Sequence, residues 1–274
     1  MTSHGLIALV TALPEEAEAL LYRLVDARSA STAEEATSAA PALRTVSLGY
    51  LSGVPVAVAV TGDGERNARL GIRALLNGLG PARLAVLGTA GGLEPSLRSG
   101  DLIVAARVSR EGARPLRPDG RLLRMVLEAT GALEGTVLTV ADLADTPAAK
   151  AELRRLSREP GSAELPAVVD LESAFYAAAA EQAGIPWVVV RAVGDTAAES
   201  LPSYLNGCRD TGGSVRRPVV LRRAARRPST IPSLMRLQRQ VRRGGDRLAE
   251  AAEQLVVAWA DAAGLPSEAP AGAR

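Results

Sequence analysis

Short apolar runs alternate with amphipathic stretches along most of the chain. Gly5-Leu-Ile-Ala-Leu-Val-Thr-Ala12 is continuously apolar, the pattern of a strand covered on both faces. Leu13-Pro-Glu-Glu-Ala-Glu-Ala-Leu-Leu21 then opens a helix, with proline at its start and acids in its first turn. Ala27 to Ala42 is rich in Ala, Ser, Thr and Glu and predicts an exposed loop. Leu43–Tyr50 and Val54–Val60 predict two strands joined by Leu51-Ser-Gly53. A turn at Thr61-Gly-Asp-Gly64 leads to a helix ending near Leu79.

The same alternation continues. Arg83–Leu93 predicts a strand running into a glycine-rich bend, and Leu102–Val108 another strand. Leu116–Thr130 fits a helix, Gly135–Val140 a strand, and Pro147–Leu156 a helix. Ala167 to Asp195 reads as strand, helix, strand. Such alternation predicts an α/β sandwich of three layers, a central mixed sheet with helices on both faces. Leu234, Val241, Leu248 and Leu255, spaced by seven, give the C-terminal helix an apolar stripe. The expected organisation is one α/β domain over 1–264, a basic helical extension at about 211–264, and a disordered tail at 265–274.

Composition narrows the chemistry. The chain has 274 residues, one histidine (His4) and one cysteine (Cys208). That argues against a Ser-His-Asp triad, a Cys-His pair, a zinc site or a disulfide, and no metal is expected. Acid–base work then falls to Asp and Glu, which perform it when burial raises their pKa. Aromatics make up only 3%, too few for a base-stacking nucleic-acid surface. The N-terminal run lacks a basic flank and is too short to span a membrane, so a cytoplasmic location is expected.

Net charge is +2, but its distribution is uneven. Thr211 to Gly245 contains no acid and ten arginines, from Arg216 to Arg243. The segment reads either as a solvated helix packed on the domain or as a surface for an anionic partner, namely a membrane, a phosphate-bearing substrate or nucleic acid.

Two carboxylates stand out. Glu172 follows one predicted strand and Asp195 ends the next, so both face the crevice at the strands' carboxyl ends if the strands are neighbours. Each also fits a plain helix-cap role. The Gly62-Asp-Gly64 turn offers backbone N–H groups to an anion or a sugar hydroxyl. Gly88, Gly91 and Gly92 around Thr89 read as a ligand loop or as a tight turn.

Four segments in order resemble the nucleoside phosphorylase and nucleosidase family. They are Thr11-Ala-Leu-Pro-Glu-Glu-Ala17; Thr61-Gly-Asp-Gly64; Gly88-Thr-Ala-Gly-Gly-Leu93 with Ser99-Gly-Asp-Leu-Ile-Val104; and Val169-Asp-Leu-Glu-Ser173 with Val190-Arg-Ala-Val-Gly-Asp195. The resemblance implies the family's α/β three-layer fold, a homo-oligomer, and cleavage of a purine, in particular adenine, nucleoside by phosphorolysis or hydrolysis. By position, Asp195 resembles the acid that protonates the leaving purine, and Glu16 the nucleosidases' water-activating acid. Glu172 resembles the carboxylate on the ribose hydroxyls. Thr89, Gly88, Gly91, Gly64 and Leu171 fall on substrate-contacting positions. No cofactor is implied beyond inorganic phosphate as a co-substrate.

Three positions depart from the pattern: Leu171 stands for methionine, Gly194 for a serine before the catalytic aspartate, and Val86 for a phosphate-binding arginine. Phosphate use would then fall to Arg66 or another arginine. The run Arg226-Arg-Pro-Ser-Thr-Ile-Pro-Ser-Leu-Met-Arg-Leu237 is similar to the hopanoid-associated branch, which implies a lipid-linked adenosine such as adenosylhopane, met at a membrane surface. The alternatives are a soluble methylthioadenosine/S-adenosylhomocysteine-type substrate, or a non-catalytic module that senses a nucleoside.

Overall fold

A computed structural model describes residues 5–29, 43, 45–158, 165–208, 210, 215–226 and 230–263. Most of the predicted loop at 27–42 and the whole tail at 265–274 lie outside these residues. In chain order the elements are β1 (Ile7–Thr11), α1 (Pro14–Tyr22), β2 (Val25–Ser29), β3 (Thr45–Leu51), β4 (Val54–Val60), α2 (Glu65–Leu79), β5 (Arg83–Gly92) and β6 (Leu102–Arg110). Then come α3 (Gly120–Thr130), β7 (Leu133–Thr139), α4 (Pro147–Ser157), β8 (Ala167–Asp170), α5 (Ser173–Gln182), β9 (Trp187–Val193), α6 (Arg217–Arg226) and α7 (Ile231–Ala263).

The described strands form one nine-stranded mixed sheet in the order β2-β3-β4-β1-β5-β8-β7-β6-β9. β5 is its pivot. It pairs in parallel with β1 and, from Leu84 to Ala90, with β9. At its far end Gly91 and Gly92 pair antiparallel with Val169 and Val168 of β8. β5 to β9 therefore close into a ring, and the ends of β5, β8 and β9 meet in one place.

Helices cover both faces, as the alternation predicts. In β1, Ile7 and Leu9 join a core with α1, α3 and α7, while Ala8 and Val10 join a second core with α2 and α5. A strand so placed has no solvent face, which is why its sequence is unbroken apolar. The seven-residue stripe of α7 is genuine: Leu248 and Leu255 are buried, with Leu234 and Val241 half-buried. Gly244 and Gly245 let α7 approach closely, since a Cβ at 244 would stand 2.7 Å from Thr89 Cγ2.

Two boundaries differ from the sequence expectation. Val25–Ser29 is an exposed edge strand antiparallel to β3, although Ala27 onward reads as loop. The helix expected from Leu116 begins only at Gly120. Leu116 instead bridges Val108, and the Asp119 carboxylate accepts from the N–H groups of Arg121 and Leu122. A capping carboxylate there outweighs the apolar period that continues upstream of it.

Candidate active site

Glu16 lies in the first turn of α1 and is buried. One carboxylate oxygen accepts from Thr89 N at 2.7 Å and Thr89 Oγ1 at 2.9 Å, and the other from Leu13 N at 3.1 Å. Burial raises its pKa, against the pull of Arg191 and of these hydrogen bonds. Of the three acids in this region, Glu16 is the one turned inward, whereas Glu15 and Glu18 sit nearer solvent.

Glu172 sits at the head of α5, yet its side chain makes no capping bond to that helix. Asp170 takes that role, accepting from Ser173 N. The Glu172 carboxylate instead accepts from Gly64 N at 2.7 Å. The Gly62-Asp-Gly64 turn therefore spends its N–H on an anion of the protein itself. Both glycines have positive φ, 93° and 87°. Burial, reinforced by the charge of Asp170, pushes Glu172 up to about 8. It is largely neutral near pH 7.

Arg191 lies against Glu16 and Asp170. It is fully buried on β9, with Nη2 at 2.6 Å from Asp170 Oδ2, and Nε and Nη2 donate to Ser173 Oγ. Burial works against its charge, but Asp170, Glu16 and Glu172 more than compensate and raise its pKa. Thr139 Oγ1 donates to Asp170, fixing the other end of the pair. Tyr176 shares a 2.5 Å hydrogen bond with Thr61 Oγ1; burial and Glu172 keep its phenol protonated.

Asp195 follows β9 through Gly194, whose N–H donates to Ala90 O, while Gly92 N donates to Asp195 O. Its carboxylate Oδ2 is 2.5 Å from Nζ of Lys150 on α4. Burial raises the Asp195 pKa, and Lys150 partly offsets that. Gly194 removes the side chain of a neighbouring serine, so the support for Asp195 comes from Lys150.

The glycines expected to form a ligand loop make room for these charged groups. A Cβ on Gly88 would fall 1.9 Å from Arg191 Nη1 and 3.2 Å from Glu16 Oε1. One on Gly91 would lie 3.1 Å from Val169 Cγ1 and 3.4 Å from Asp195 Oδ2. Thr89 remains beside Glu16, and Leu171 lines two adjoining pockets. The smaller, about 40 Å³, also touches Gly91, Leu143, Asp170 and Asp195. The larger, about 1120 Å³, shares Val140, Asp142 and Leu171 with it and extends to Phe175, Arg66, Arg107 and Arg110.

The structure therefore gathers Glu16, Glu172 and Thr89 around Arg191, with Asp195 farther along β5. From Gly88 to Gly91 is about 10 Å at roughly 3.3 Å per strand residue. Val86 is buried in the core and puts no charge in the site. Arg191, Asp170 and Lys150 were not singled out from sequence. Arg191 had a signal, a lone charge inside the apolar strand Trp187–Val193. Lys150 had another, as the single lysine among 32 basic residues.

The model of the Phosphorylase superfamily matches residues 6–206, and the chain belongs to that family. It is 29% identical over 169 residues to the 5'-methylthioadenosine/S-adenosylhomocysteine nucleosidase of Geobacillus thermodenitrificans, covering 56% of this chain and 72% of the relative. Against the nucleosidase of the same description from Halalkalibacterium halodurans, identity is 26% over 220 residues, 72% and 89% of the two chains. The fold is similar to the nucleosidase of Neisseria meningitidis solved with methylthio-immucillin-A (TM-score 0.68, 18% identity, 92% and 98% covered). It is also similar to the futalosine hydrolase of Helicobacter pylori (TM-score 0.68, 16% identity, 92% and 97% covered).

Proposed function

We propose that this protein hydrolyses the N-glycosidic bond of an adenine nucleoside. The observation that carries the reading is the division of the buried carboxyls into two groups along one segment of β5. Glu16 and Glu172 converge on Arg191, while Asp195 stands apart, held by Lys150. The sugar fits the first group and the purine the second.

In glycosidic cleavage the sugar becomes cation-like while the base departs with the bonding electrons. Asp195, its pKa raised, delivers a proton to the departing purine and lowers the charge it must carry. Glu172 faces the ribose hydroxyls; the positive charge growing on the sugar favours its ionised form, so its stabilisation strengthens as the bond breaks. Glu16, held by Thr89 and Leu13, is the base that takes a proton from the attacking water. Water rather than phosphate is favoured because Val86 offers no cation, Arg191 is committed to Asp170, and the relatives named above are nucleosidases. The presence of three buried acids with raised pKa values supports an enzyme over a sensing module.

The finer reading, a lipid-linked adenosine reached at an anionic membrane surface, has its own support. The larger pocket adjoins the site at Leu171 and gives a bulky substituent room. Leu221, Ile231 and Met235 are exposed on α6 and α7 among arginines. The test is adenine release from adenosine, 5'-methylthioadenosine and 5'-alkyl-extended adenosines, with and without phosphate. Release without phosphate is expected. No release from any of these nucleosides, or release only with phosphate, overturns the proposal.

A further inference from the structure

Lys150 is the chain's single lysine, beside 31 arginines, and it is fully buried. Three oxygens surround its Nζ: Asp195 Oδ2 at 2.5 Å, Thr196 O at 2.6 Å and Glu199 O at 2.8 Å. The ammonium donates to the two carbonyls and meets Oδ2 as an ion pair; as a compact point charge it fits a cage that a planar guanidinium does not. Oδ2 is itself buried, and among the described residues Lys150 is its one polar neighbour of opposite charge. The 11% exposure of the Asp195 side chain thus belongs to its atoms other than Oδ2, and the residue lines the small pocket.

We propose that Lys150 is a positioning residue for base departure: it holds Oδ2 so that Oδ1 faces the purine, and it neutralises the carboxylate left on Asp195 after proton transfer. This rests on the reading of Asp195 as the acid. In the step, the O–H bond of Asp195 breaks and an N–H bond forms on the purine. The C1'–N bond breaks with its electron pair going to the base. The negative charge created on Asp195 appears against a cation already in place, so nothing has to reorganise when it forms.

A carboxyl in this pocket meets opposing influences. Burial favours its neutral form, as does Glu199, which is anchored by Thr196 N; Asp142 and Asp170 line the same pocket. Lys150, from α4, favours the ionised form. Arg154, one turn along α4, is paired with Glu94 and leaves Lys150 as the cation on Asp195. Removing the ammonium should therefore make Asp195 a weaker acid, still protonated at higher pH.

The test compares wild type with K150M, and with K150Q, whose amide still donates to the Thr196 and Glu199 carbonyls. Steady-state adenine release from 5'-methylthioadenosine is followed from about pH 5 to 9, with thermal melting as a check on folding. In both variants kcat should fall about 10–100-fold, no more than the low end of the usual worth of acid catalysis, while KM changes little. The basic limb of the kcat profile, where Asp195 loses its proton, should move to higher pH. A kcat and basic limb equal to wild type in folded K150Q overturn the proposal. So does a loss of activity that tracks a lowered melting temperature with the limb unmoved. Asp195→Asn separates this proposal from the one it rests on. If that variant is as active as wild type, the role of Asp195 is wrong; if it is inactive while K150Q is unchanged, only the role of Lys150 is wrong.

Discussion

Gly88→Ala is the sharpest test of how the site is packed. The new Cβ would stand 1.9 Å from Arg191 Nη1, where an unstrained contact needs about 3.5 Å, so the guanidinium must retreat by roughly 1.6 Å. It has little freedom to do so, with Nη2 fixed on Asp170 at 2.6 Å and on Ser173 at 2.8 Å. Overpacking a core typically costs about 1–3 kcal/mol, and breaking a buried ion pair about 3–5 kcal/mol. A loss of about 2–5 kcal/mol is expected, according to how much of the pair survives. For a chain of this size that lowers Tm by roughly 4–10 °C. A shift of this scale beside Glu16 should also reduce kcat on the order of 100-fold. Gly91→Ala is the internal comparison, since its nearest approaches, 3.1 Å and 3.4 Å, need only small adjustments. Urea unfolding and adenine release measure both variants. A Gly88→Ala protein with wild-type stability and activity would refute the close fit of Arg191 against β5.

Further outcomes follow from the same geometry. Asp195→Asn keeps the shape of the carboxyl but not its proton, and should lower adenine release by about 10²–10⁴-fold with the fold retained; a few-fold effect removes Asp195 from the mechanism. Glu172 has a folded pKa near 8 against an ordinary 4.5. The stability it contributes as a neutral group is thus complete below about pH 4.5 and is lost as pH rises through about 8. Glu172→Gln should flatten that decline in urea midpoints, and parallel profiles would contradict the buried, neutral carboxyl. Charge reversal at Arg236, Arg239, Arg242 and Arg243 should abolish low-salt binding to anionic vesicles while sparing cleavage of a small nucleoside; each basic residue is worth about 1 kcal/mol at such a surface. Absence of vesicle binding by the wild type at low salt ends the membrane reading.

By itself the sequence determined the layers and the ends of strands where chemistry collects. Apolar runs such as Ile7–Thr11 declare a strand buried on both faces, and the stripe of α7 declares its inward side, because burial imposes a period that composition records directly. Glu172 and Asp195 were legible because each follows or ends a strand at a position where a helix cap or a ligand site is expected, and Glu16 because its segment resembles the family's. Their partners were decided only by the tertiary structure. Lys150 lies 45 positions before Asp195 in the chain, and Gly64 lies 108 before Glu172. Neither pairing leaves a local period, since a contact between distant segments is set by how the sheet closes. The closing of β5 to β9 into a ring likewise depends on Gly91 and Gly92 turning from β9 to β8, which a strand pattern alone does not encode. The same holds for the pKa values: an isolated glutamate titrates normally, and Glu172 rises because the folded chain strips its water and sets Asp170 beside it.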